Sequence, residues 1–317
     1  MTRPRRARSA TPPVPASKER EPWLLAACLV IAVTFIVYLP SLDNGFTNWD
    51  DDLYVTQNPL LANATPHALL TTPVRGNYHP LTMWSLVLNF RLSGLDPASY
   101  HWLNLLLHLA NTGLVFLFLR FLTRGRFWTS ALGALFFGIH PMHVESVAWI
   151  SERKDVLFAF FYLAGLIAYG NYLKRKGWPW LAATFTAFVL SVASKPAAIV
   201  FPLTLGLLDW FRRRPFTRAL VLEKVPFLAV AVLGGILTLR AQQSTGAMDV
   251  QWTVFEKILF ASYGTVMYFL KLLAPVGLSA IYPYVRVAGQ GLGAEYYVAL
   301  VVLAVCLPAL LYAARRS

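Results

Sequence analysis

The residues that could do chemistry lie in polar segments between long apolar stretches of the sequence. Asp50, Asp51 and Asp52 follow Trp49 in the first of these segments, and His79 comes later in the same segment. Neighbouring carboxylates repel each other, which raises the pKa of at least one of them. A carboxylate can then accept the proton of an attacking hydroxyl group. A solvated acidic turn is the other interpretation of the triplet.

A second polar segment, residues 140–155, combines histidines with carboxylates and cations. Its candidate residues are His140, His143, Glu145, Glu152, Arg153, Lys154 and Asp155. Histidine and glutamate are suitable ligands for zinc or another divalent cation, but Pro141 breaks regular helical spacing between them. Hydrogen bonding of the histidines to a helix end is the alternative, so the need for a metal cofactor stays open.

Lys195 lies in a short turn, residues 193–196, between two apolar stretches. A lysine at this place could extend to the membrane surface, or it could contact a phosphate or a carboxylate. Cations stabilise the negative charge of a phosphate leaving group. Carboxylates and cations at the ends of apolar segments therefore indicate a transfer enzyme that acts on a lipid-linked phosphate.

The composition indicates an all-α polytopic membrane protein. Of 317 residues, 57% are hydrophobic and 14% are charged, with a mean hydropathy of +0.53. Several charge-free stretches of roughly 17–22 residues are long enough to cross a bilayer as helices. The net charge of +13 comes from basic clusters between these stretches, a pattern that sets membrane orientation rather than nucleic-acid binding.

We expect residues 1–22 to form a disordered basic cytoplasmic tail and residues 23–317 to form one transmembrane domain. The predicted spans are 23–40, 100–121, 128–140, 156–173, 178–192, 197–211, 225–239 and 297–312, while 254–275 either crosses or lies against the membrane. This gives about 8–9 transmembrane helices. Within the first outer loop, residues 41–99, the apolar stretch 79–92 is short and predicts an interfacial helix.

Basic clusters precede the first span and follow the second, fourth and sixth spans. Because basic residues favour the cytoplasm, these four boundaries predict the orientation of the chain. The acidic loop, residues 140–155, Lys195 and the loop 240–253 then share the opposite side. We expect a multi-pass plasma (inner) membrane protein with a cytoplasmic N-terminus and an active site that faces the periplasm or the exterior.

Five motifs occur in a fixed order along the first two thirds of the chain. They are NWDDDLYVTQNPLL, NYHPLTMWSL, YHWLNLLLHLANTGLVFLFLR, HPMHVESVAWISERKDVLFAFFYLAGLIAY and SVASKPAAIVFPLTLGLLDW. Together they resemble the membrane part of the transmembrane and tetratricopeptide-repeat O-mannosyltransferases and their bacterial relatives. That family is similar to the GT-C glycosyltransferases, which use polyprenyl-phosphate sugars. The resemblance covers residues 39–210 well, and the fourth motif is its most specific part.

The resemblance implies a GT-C-like helix bundle with two interfacial helices in the first outer loop. It implies that Asp50 and Asp51 supply the catalytic carboxylate, and that Arg153, Lys154 and Lys195 hold the donor phosphate. The residues expected to organise the site or meet the acceptor are His79, His140, His143, Glu145 and Asp155. The expected partners are a polyprenyl-phosphate sugar, with mannose as the expected sugar, a Ser or Thr of an exported protein, and membrane lipids, but no nucleic acid.

Two features depart from the family pattern. The family often has Lys-Glu where this chain has Lys195-Pro196, which argues against an ion pair at this point. The sequence also ends without tetratricopeptide repeats, which would present or recruit a partner. This leaves open a fragment of a longer protein and a short version that finds its acceptor otherwise.

Other functions remain to be weighed against a transferase. A transporter or flippase for a lipid-linked sugar would need charges near the membrane midplane, whereas these charges lie at span ends. A non-catalytic membrane scaffold would need none of Asp50, Glu145 or Lys195. A membrane acyltransferase is weaker, because no His-Asp arrangement within a few residues supports it.

Overall fold

The computed structural model describes residues 23–245, 252–282 and 292–316, and these residues form an all-helical protein. Within these ranges the chain forms no β-strand, and Val74 and Asn77 make an isolated bridge. The predicted basic tail, residues 1–22, lies outside the described residues. The expected all-α class is therefore confirmed for the part of the chain that the structure describes.

The α-helices follow one another with short connections. They are α1 (Trp23–Tyr38), α2 (Pro59–Ala62), α3 (Pro66–Thr71), α4 (Pro80–Ser93), α5 (Pro97–Leu122), α6 (Phe127–Ile139), α7 (Val144–Ala148), α8 (Arg153–Arg175), α9 (Trp178–Ser194), α10 (Phe201–Phe211), α11 (Arg218–Gln243), α12 (Val254–Leu273) and α13 (Ala294–Arg316). Shorter helical turns cover Leu39–Asp43, Asp52–Thr56, Pro141–His143, Ile150–Glu152 and Pro196–Val200.

Four helical stretches among the described residues are long and apolar enough to cross a membrane. They are Trp23–Asp43, Pro97–Leu122, Ile150–Arg175 and Arg218–Gln243, and the shorter apolar helices are Phe127–Ile139, Trp178–Ser194, Pro196–Phe211 and Ala294–Leu310. These helices support a polytopic membrane protein. The expected number of about 8–9 crossings stays a prediction.

Local sequence signals explain where several helices begin and end. Before α5, the Asp96 side chain accepts a hydrogen bond from the Ala98 N–H, and Pro97 occupies the first helical position, which suits a residue without an N–H. Thr253 and Glu256 form a reciprocal capping box before α12. Gly94 ends α4 with a φ of 61°, a conformation that glycine adopts without steric penalty.

The first loop is a packed substructure rather than an extended connection. Tyr54, Leu61, Leu69, Leu86 and Tyr100 belong to one buried apolar cluster. This cluster joins the short helices α2 and α3 to α4 and to the start of α5. Burial of large apolar side chains is a main source of folded-state stability, so the loop can hold its polar residues in fixed positions.

Gly138 marks a close approach between α6 and its neighbours α1 and α5. A Cβ atom at this position would lie 2.3 Å from Thr34 Oγ1 and 3.0 Å from Thr112 Cγ2. The His108 Nε2 atom lies 2.8 Å from the Gly138 carbonyl oxygen, which adds a polar contact to the same crossing. A larger side chain at position 138 would therefore push three helices apart.

We predict that Gly138→Ala destabilises the fold by about 1–3 kcal/mol, because the new methyl group overpacks the α1–α5–α6 contact. Gly206→Ala in α10 is the matched control, since a Cβ atom there would meet nothing within 4 Å. Thermal unfolding of both variants in detergent measures the difference. An equal unfolding temperature for Gly138→Ala and Gly206→Ala would contradict the prediction.

Candidate functional site

A cleft with a volume of about 1360 Å³ brings several of the predicted polar segments together. Its walls come from the first loop, from residues 141–155, from Lys195 and from α12 and α13. Its polar and aromatic lining includes Thr47, Asn48, Trp49, Glu145, Ser146, Trp149, Glu152, Lys154, Asp155, Lys195, Tyr263, Tyr268, Lys271, Tyr282 and Glu295. The cleft is the candidate functional site.

Two lysines in the cleft form ion pairs with carboxylates. The Lys154 Nζ atom lies 2.7 Å from Glu152 Oε1, and the Lys195 Nζ atom lies 4.0 Å from Glu152 Oε2. Lys195 also pairs with Asp155, whose second carboxylate oxygen accepts a hydrogen bond of 3.1 Å from Ser146 Oγ. The expectation that the Lys-Pro sequence argues against an ion pair at Lys195 is therefore wrong. The partners come from the start of α8, so the pair does not need an acidic residue at position 196.

Glu145 differs from Glu152 and Asp155 in that its side chain has no ion-pair partner among the described residues. Its side chain lies exposed on α7, lines the cleft and makes no described hydrogen bond or ion pair. Partial burial and the nearby charges of Glu152 and Asp155 raise the pKa of this carboxyl group. A carboxylate with a raised pKa is a better proton acceptor near neutral pH.

Asp51 is fully buried and does not line the cleft. Its Oδ2 atom accepts hydrogen bonds of 2.9 and 3.1 Å from the N–H and Oγ1 of Thr47, and its Oδ1 atom accepts one of 2.8 Å from the Ser151 N–H. The carboxylate thus connects the first loop to the turn before α8. Asp50 and Asp52 are half-buried and also lie outside the cleft lining, although Trp49 belongs to it.

Arg153 is completely buried, unlike the neighbouring Lys154 that reaches the cleft. Its Nε and Nη1 atoms donate hydrogen bonds of 2.5 and 2.7 Å to the side-chain oxygens of Asn104 and Asn89. Its Nη2 atom donates one of 3.0 Å to the Tyr100 carbonyl oxygen. The structure does not place Arg153 with the cleft lysines, because all three guanidinium nitrogens already bond protein oxygens. Neither Asn89 nor Asn104 was assigned to the site from the sequence.

His140 and His143 make their contacts within the protein. His140 Nδ1 accepts a hydrogen bond of 3.2 Å from the Met142 N–H, and its Nε2 lies 3.0 Å from the Leu272 carbonyl oxygen. The ring centroids of His143 and Phe137 lie 4.5 Å apart. Burial, together with the charges of the nearby His108 and His140, lowers the pKa of His143 to about 4. Among the described residues no group of three or more His, Cys, Asp or Glu side chains is placed to hold a metal ion.

His79 lies buried behind the cleft lysines. Its ring stacks on Tyr54 with centroids 5.3 Å apart, and its Nε2 atom has no described hydrogen-bond partner. Burial, together with the charges of Lys154 and Lys195, lowers the pKa of His79 to about 3. The imidazole is therefore neutral at physiological pH.

Residues from α12 and α13 were not assigned to the site by the sequence motifs. Tyr263, Tyr268 and Lys271 line the cleft, and Lys271 Nζ donates hydrogen bonds to the carbonyl oxygens of Val276 and Gly277. These bonds hold the chain after α12 against the cleft. The available signal was the presence of two tyrosines and a lysine, Tyr263, Tyr268 and Lys271, in the largely apolar stretch of residues 254–275.

The fold and the cleft define an all-helical membrane protein with a charged site at one end of its helices. The chain is 34% identical over 196 residues to protein O-mannosyl-transferase Tmtc1 of Drosophila melanogaster, a match that covers 58% of this chain. It is also 34% identical over 177 residues to protein O-mannosyl-transferase TMTC2 of Mus musculus, covering 51% of this chain, and 30% identical over 172 residues to TMTC4 of Homo sapiens, covering 47%. No family model and no solved structure matches the chain.

These matches confirm the predicted resemblance to the transmembrane and tetratricopeptide-repeat O-mannosyltransferases. The matched segments span 22% of Tmtc1, 21% of TMTC2 and 23% of TMTC4. The chain thus corresponds to only about a quarter or less of the length of each of these relatives.

We predict that acid weakens the fold through His79. Its pKa in the folded state is about 3, below the ordinary histidine value of 6.5, so the unfolded chain binds more protons between these pH values. The stabilisation is complete above pH 6.5 and is lost as the pH falls towards 3. At pH 5 the loss from this group is up to about 2 kcal/mol.

His79→Phe keeps an aromatic ring beside Tyr54 and removes the titration. The decrease in unfolding temperature between pH 7 and pH 5 should therefore be smaller in His79→Phe than in the natural chain. The same decrease in both proteins would show that His79 is not the responsible group.

Proposed function

We propose that the protein is a glycosyltransferase that moves a sugar from a polyprenyl-phosphate donor to a hydroxyl group of a protein or peptide. The observation that carries this proposal is the cleft, in which Lys154 and Lys195 lie among the carboxylates Glu145, Glu152 and Asp155. The relatives are named protein O-mannosyl-transferases, which favours mannose as the sugar and Ser or Thr as the acceptor.

Lys154 and Lys195 are the proposed contacts for the donor phosphate. The side chain of Lys195 is 31% exposed and that of Lys154 is 11% exposed, so both can meet a ligand in the cleft. Cations fixed in advance near a leaving group stabilise the charge that develops on it. Arg153, with its donors bound inside the protein, is proposed to position Lys154 and Asp155 rather than to contact the phosphate.

Two carboxylates fit the role of proton acceptor. The family resemblance implies Asp50 and Asp51; of these Asp51 is buried, whereas Asp50 directly follows the cleft residue Trp49. The cleft geometry favours Glu145. In the reaction the acceptor oxygen forms a bond with the anomeric carbon, and the bond between that carbon and the phosphate oxygen breaks. The electron pair of the broken bond stays on the phosphate, and the hydroxyl proton moves to the carboxylate.

We propose that the cleft faces the non-cytoplasmic side of a plasma (inner) membrane in a GT-C-like arrangement. The basic turns after α5, α8 and α10 support this orientation, because basic residues favour the cytoplasm. A transporter is less well supported, since the charges of the cleft lie at the start of α8 and the end of α9 rather than in the middle of these helices.

The first test is a transfer assay in proteoliposomes with radiolabelled polyprenyl-phosphate mannose and an acceptor pool. We predict that Lys195→Gln lowers the rate about 100-fold or more, because a cation beside the leaving group is lost. Lys257→Gln is the control, since it removes the same charge from an exposed position on α12 outside the cleft. A natural chain that releases no label from any lipid-linked sugar tested would contradict the proposed function.

A second prediction concerns the proton acceptor. Removal of the acceptor carboxylate, by Asp50→Asn or by Glu145→Gln, should lower kcat by about 100-fold to 10,000-fold and remove the acidic limb of the pH–rate profile. The other substitution should keep that limb. Retention of the limb in both variants would exclude both residues as the base.

Asp51→Asn should act on the fold as well as on the rate. An amide cannot accept all of the hydrogen bonds that Thr47 and Ser151 donate to the carboxylate, so we predict a loss of about 1–3 kcal/mol in stability. Thermal unfolding of Asp51→Asn beside Asp50→Asn measures it. A normal unfolding temperature in Asp51→Asn would argue against the structural role.

A further inference from the structure

The end of the bundle away from the cleft carries a dense group of cations. They lie in and beside the turns that join α5 to α6, α8 to α9 and α10 to α11, and they are Arg120, Arg124, Arg126, Lys174, Arg175, Lys176, Arg212, Arg213, Arg214 and Arg218. Along α8, Lys154 in the cleft and Lys174 are separated by about 30 Å at 1.5 Å per residue. These cations therefore belong to a different site from the proposed transferase centre.

Some of this positive charge is already neutralised inside the protein. Arg214 lies 2.9 Å from Asp209 and 3.2 Å from Glu223, and Lys224 lies within 2.9 Å of both carboxylates. The hydroxyl of Tyr169 joins the same network with a hydrogen bond of 2.6 Å to Asp209. This closed set ties α8, α10 and α11 together, and it offers no charge to a ligand.

Two other cations converge on the ring of Phe121 without such compensation. The Arg212 guanidinium lies 4.1 Å from the ring centroid, and the Lys174 Nζ atom lies 4.9 Å from it. The Arg212 Nη2 atom donates a hydrogen bond of 3.0 Å to the Phe121 carbonyl oxygen. The ring packs closely against α8 at Gly170, where an added Cβ atom would lie only 3.0 Å from the ring.

Arg124 adds a third positive charge to this junction. It lies exposed in the turn after α5, with a φ of 56°. Burial, followed by repulsion from Arg124, lowers the pKa of Arg212. Among the described residues none of Arg124, Lys174 and Arg212 forms an ion pair with a carboxylate, and the buried Nε atom of Arg212 has no hydrogen-bond partner.

Lys174 and Arg212 lie at Phe121, and Arg124 follows three residues further along the chain. Cations gathered in this way without an acidic partner repel each other unless an anion joins them. A phosphate group suits the arrangement, because guanidinium groups bind two phosphate oxygens at once and an ammonium group adds a point charge. Trp128 and Trp178, 71% and 78% exposed at the starts of α6 and α9, lie at the same end of the bundle. Exposed tryptophans are typical of the membrane–water interface, which places the cations at the depth of lipid headgroups.

We propose that Arg124, Lys174 and Arg212 form a binding site for the phosphate of an anionic membrane lipid. The cations of the headgroup region attract anionic lipids in general, but this site would be selective because Phe121 fixes the positions of Lys174 and Arg212. The bound lipid would bridge the ends of α5, α8 and α10 and stabilise their packing.

The test is thermal unfolding of the delipidated full chain in detergent with added phosphatidylglycerol, phosphatidylcholine or inorganic phosphate. Phosphatidylglycerol should raise the unfolding temperature of the natural chain, and the double variant Lys174→Gln/Arg212→Gln should need at least tenfold more of this lipid for the same shift. The control Arg126→Gln/Lys176→Gln removes two exposed charges from neighbouring turns and should respond like the natural chain.

Several outcomes would overturn the proposal. An equal loss of response in both double variants would indicate unselective attraction, and an equal shift with phosphatidylcholine would indicate a general lipid effect. A full shift with inorganic phosphate alone would assign the site to a free anion instead of a lipid. If the double variant does not fold, the exposed substitution Arg124→Gln gives the same comparison with Arg126→Gln.

Discussion

The buried guanidinium of Arg153 is the interaction on which the geometry of the cleft depends. A charged group without water is stable only when its donors are satisfied, and Arg153 meets this condition through Asn89 of α4 and through Asn104 and Tyr100 of α5. Because all three partners are needed at once, the network fixes where α8 begins relative to α4 and α5. Lys154 and Asp155 follow Arg153 directly, so their positions in the cleft are set by the same bonds.

Asp51 complements this network from the other side of the turn before α8. Its carboxylate accepts the Ser151 N–H, and the first loop is thereby attached two residues before Arg153. A buried anion and a buried cation thus hold the same short segment of the chain, each through hydrogen bonds rather than through a direct ion pair. This arrangement keeps the charges of the cleft itself, on Glu152, Lys154, Asp155 and Lys195, available for exchange with a ligand.

The helical architecture could be predicted from the sequence, whereas the assignment of individual charges could not. The apolar stretch predicted at 178–192 became α9, Trp178–Ser194, because charge-free length and flanking cations determine such helices. Arg153 and Lys154 are adjacent and have the same charge, but successive residues of a helix point about 100° apart. Which of the two faces the cleft depends on Asn89 and Asn104, and no local pattern reveals that pairing.

The same limit applies to the acidic triplet and to the histidines. Asp50, Asp51 and Asp52 are identical in type, and their different burial follows from the packing of the first loop around Tyr54 and Leu86. His140 uses both of its ring nitrogens within the protein, one of them towards Leu272 at the end of α12, a contact between residues far apart in the sequence. The short spacing of His140, His143 and Glu145 is compatible with a metal site. Spacing along the chain contains no information about a distant partner such as Leu272.

The two ends of α8 differ in whether their cations have acidic partners. In the cleft, Lys154 and Lys195 each have a carboxylate partner, so a bound phosphate would have to compete with Glu152 and Asp155. In the proposed reaction these carboxylates would help to displace the polyprenyl phosphate that remains after sugar transfer, which suits a reaction site that must turn over. At Phe121, by contrast, Lys174 and Arg212 have no described acidic competitor, so an anion bound there is opposed by no internal partner. The charge arrangement at each end of α8 thus suits the role proposed for it, which is exchange of a substrate in the cleft and lasting attachment of a lipid at Phe121.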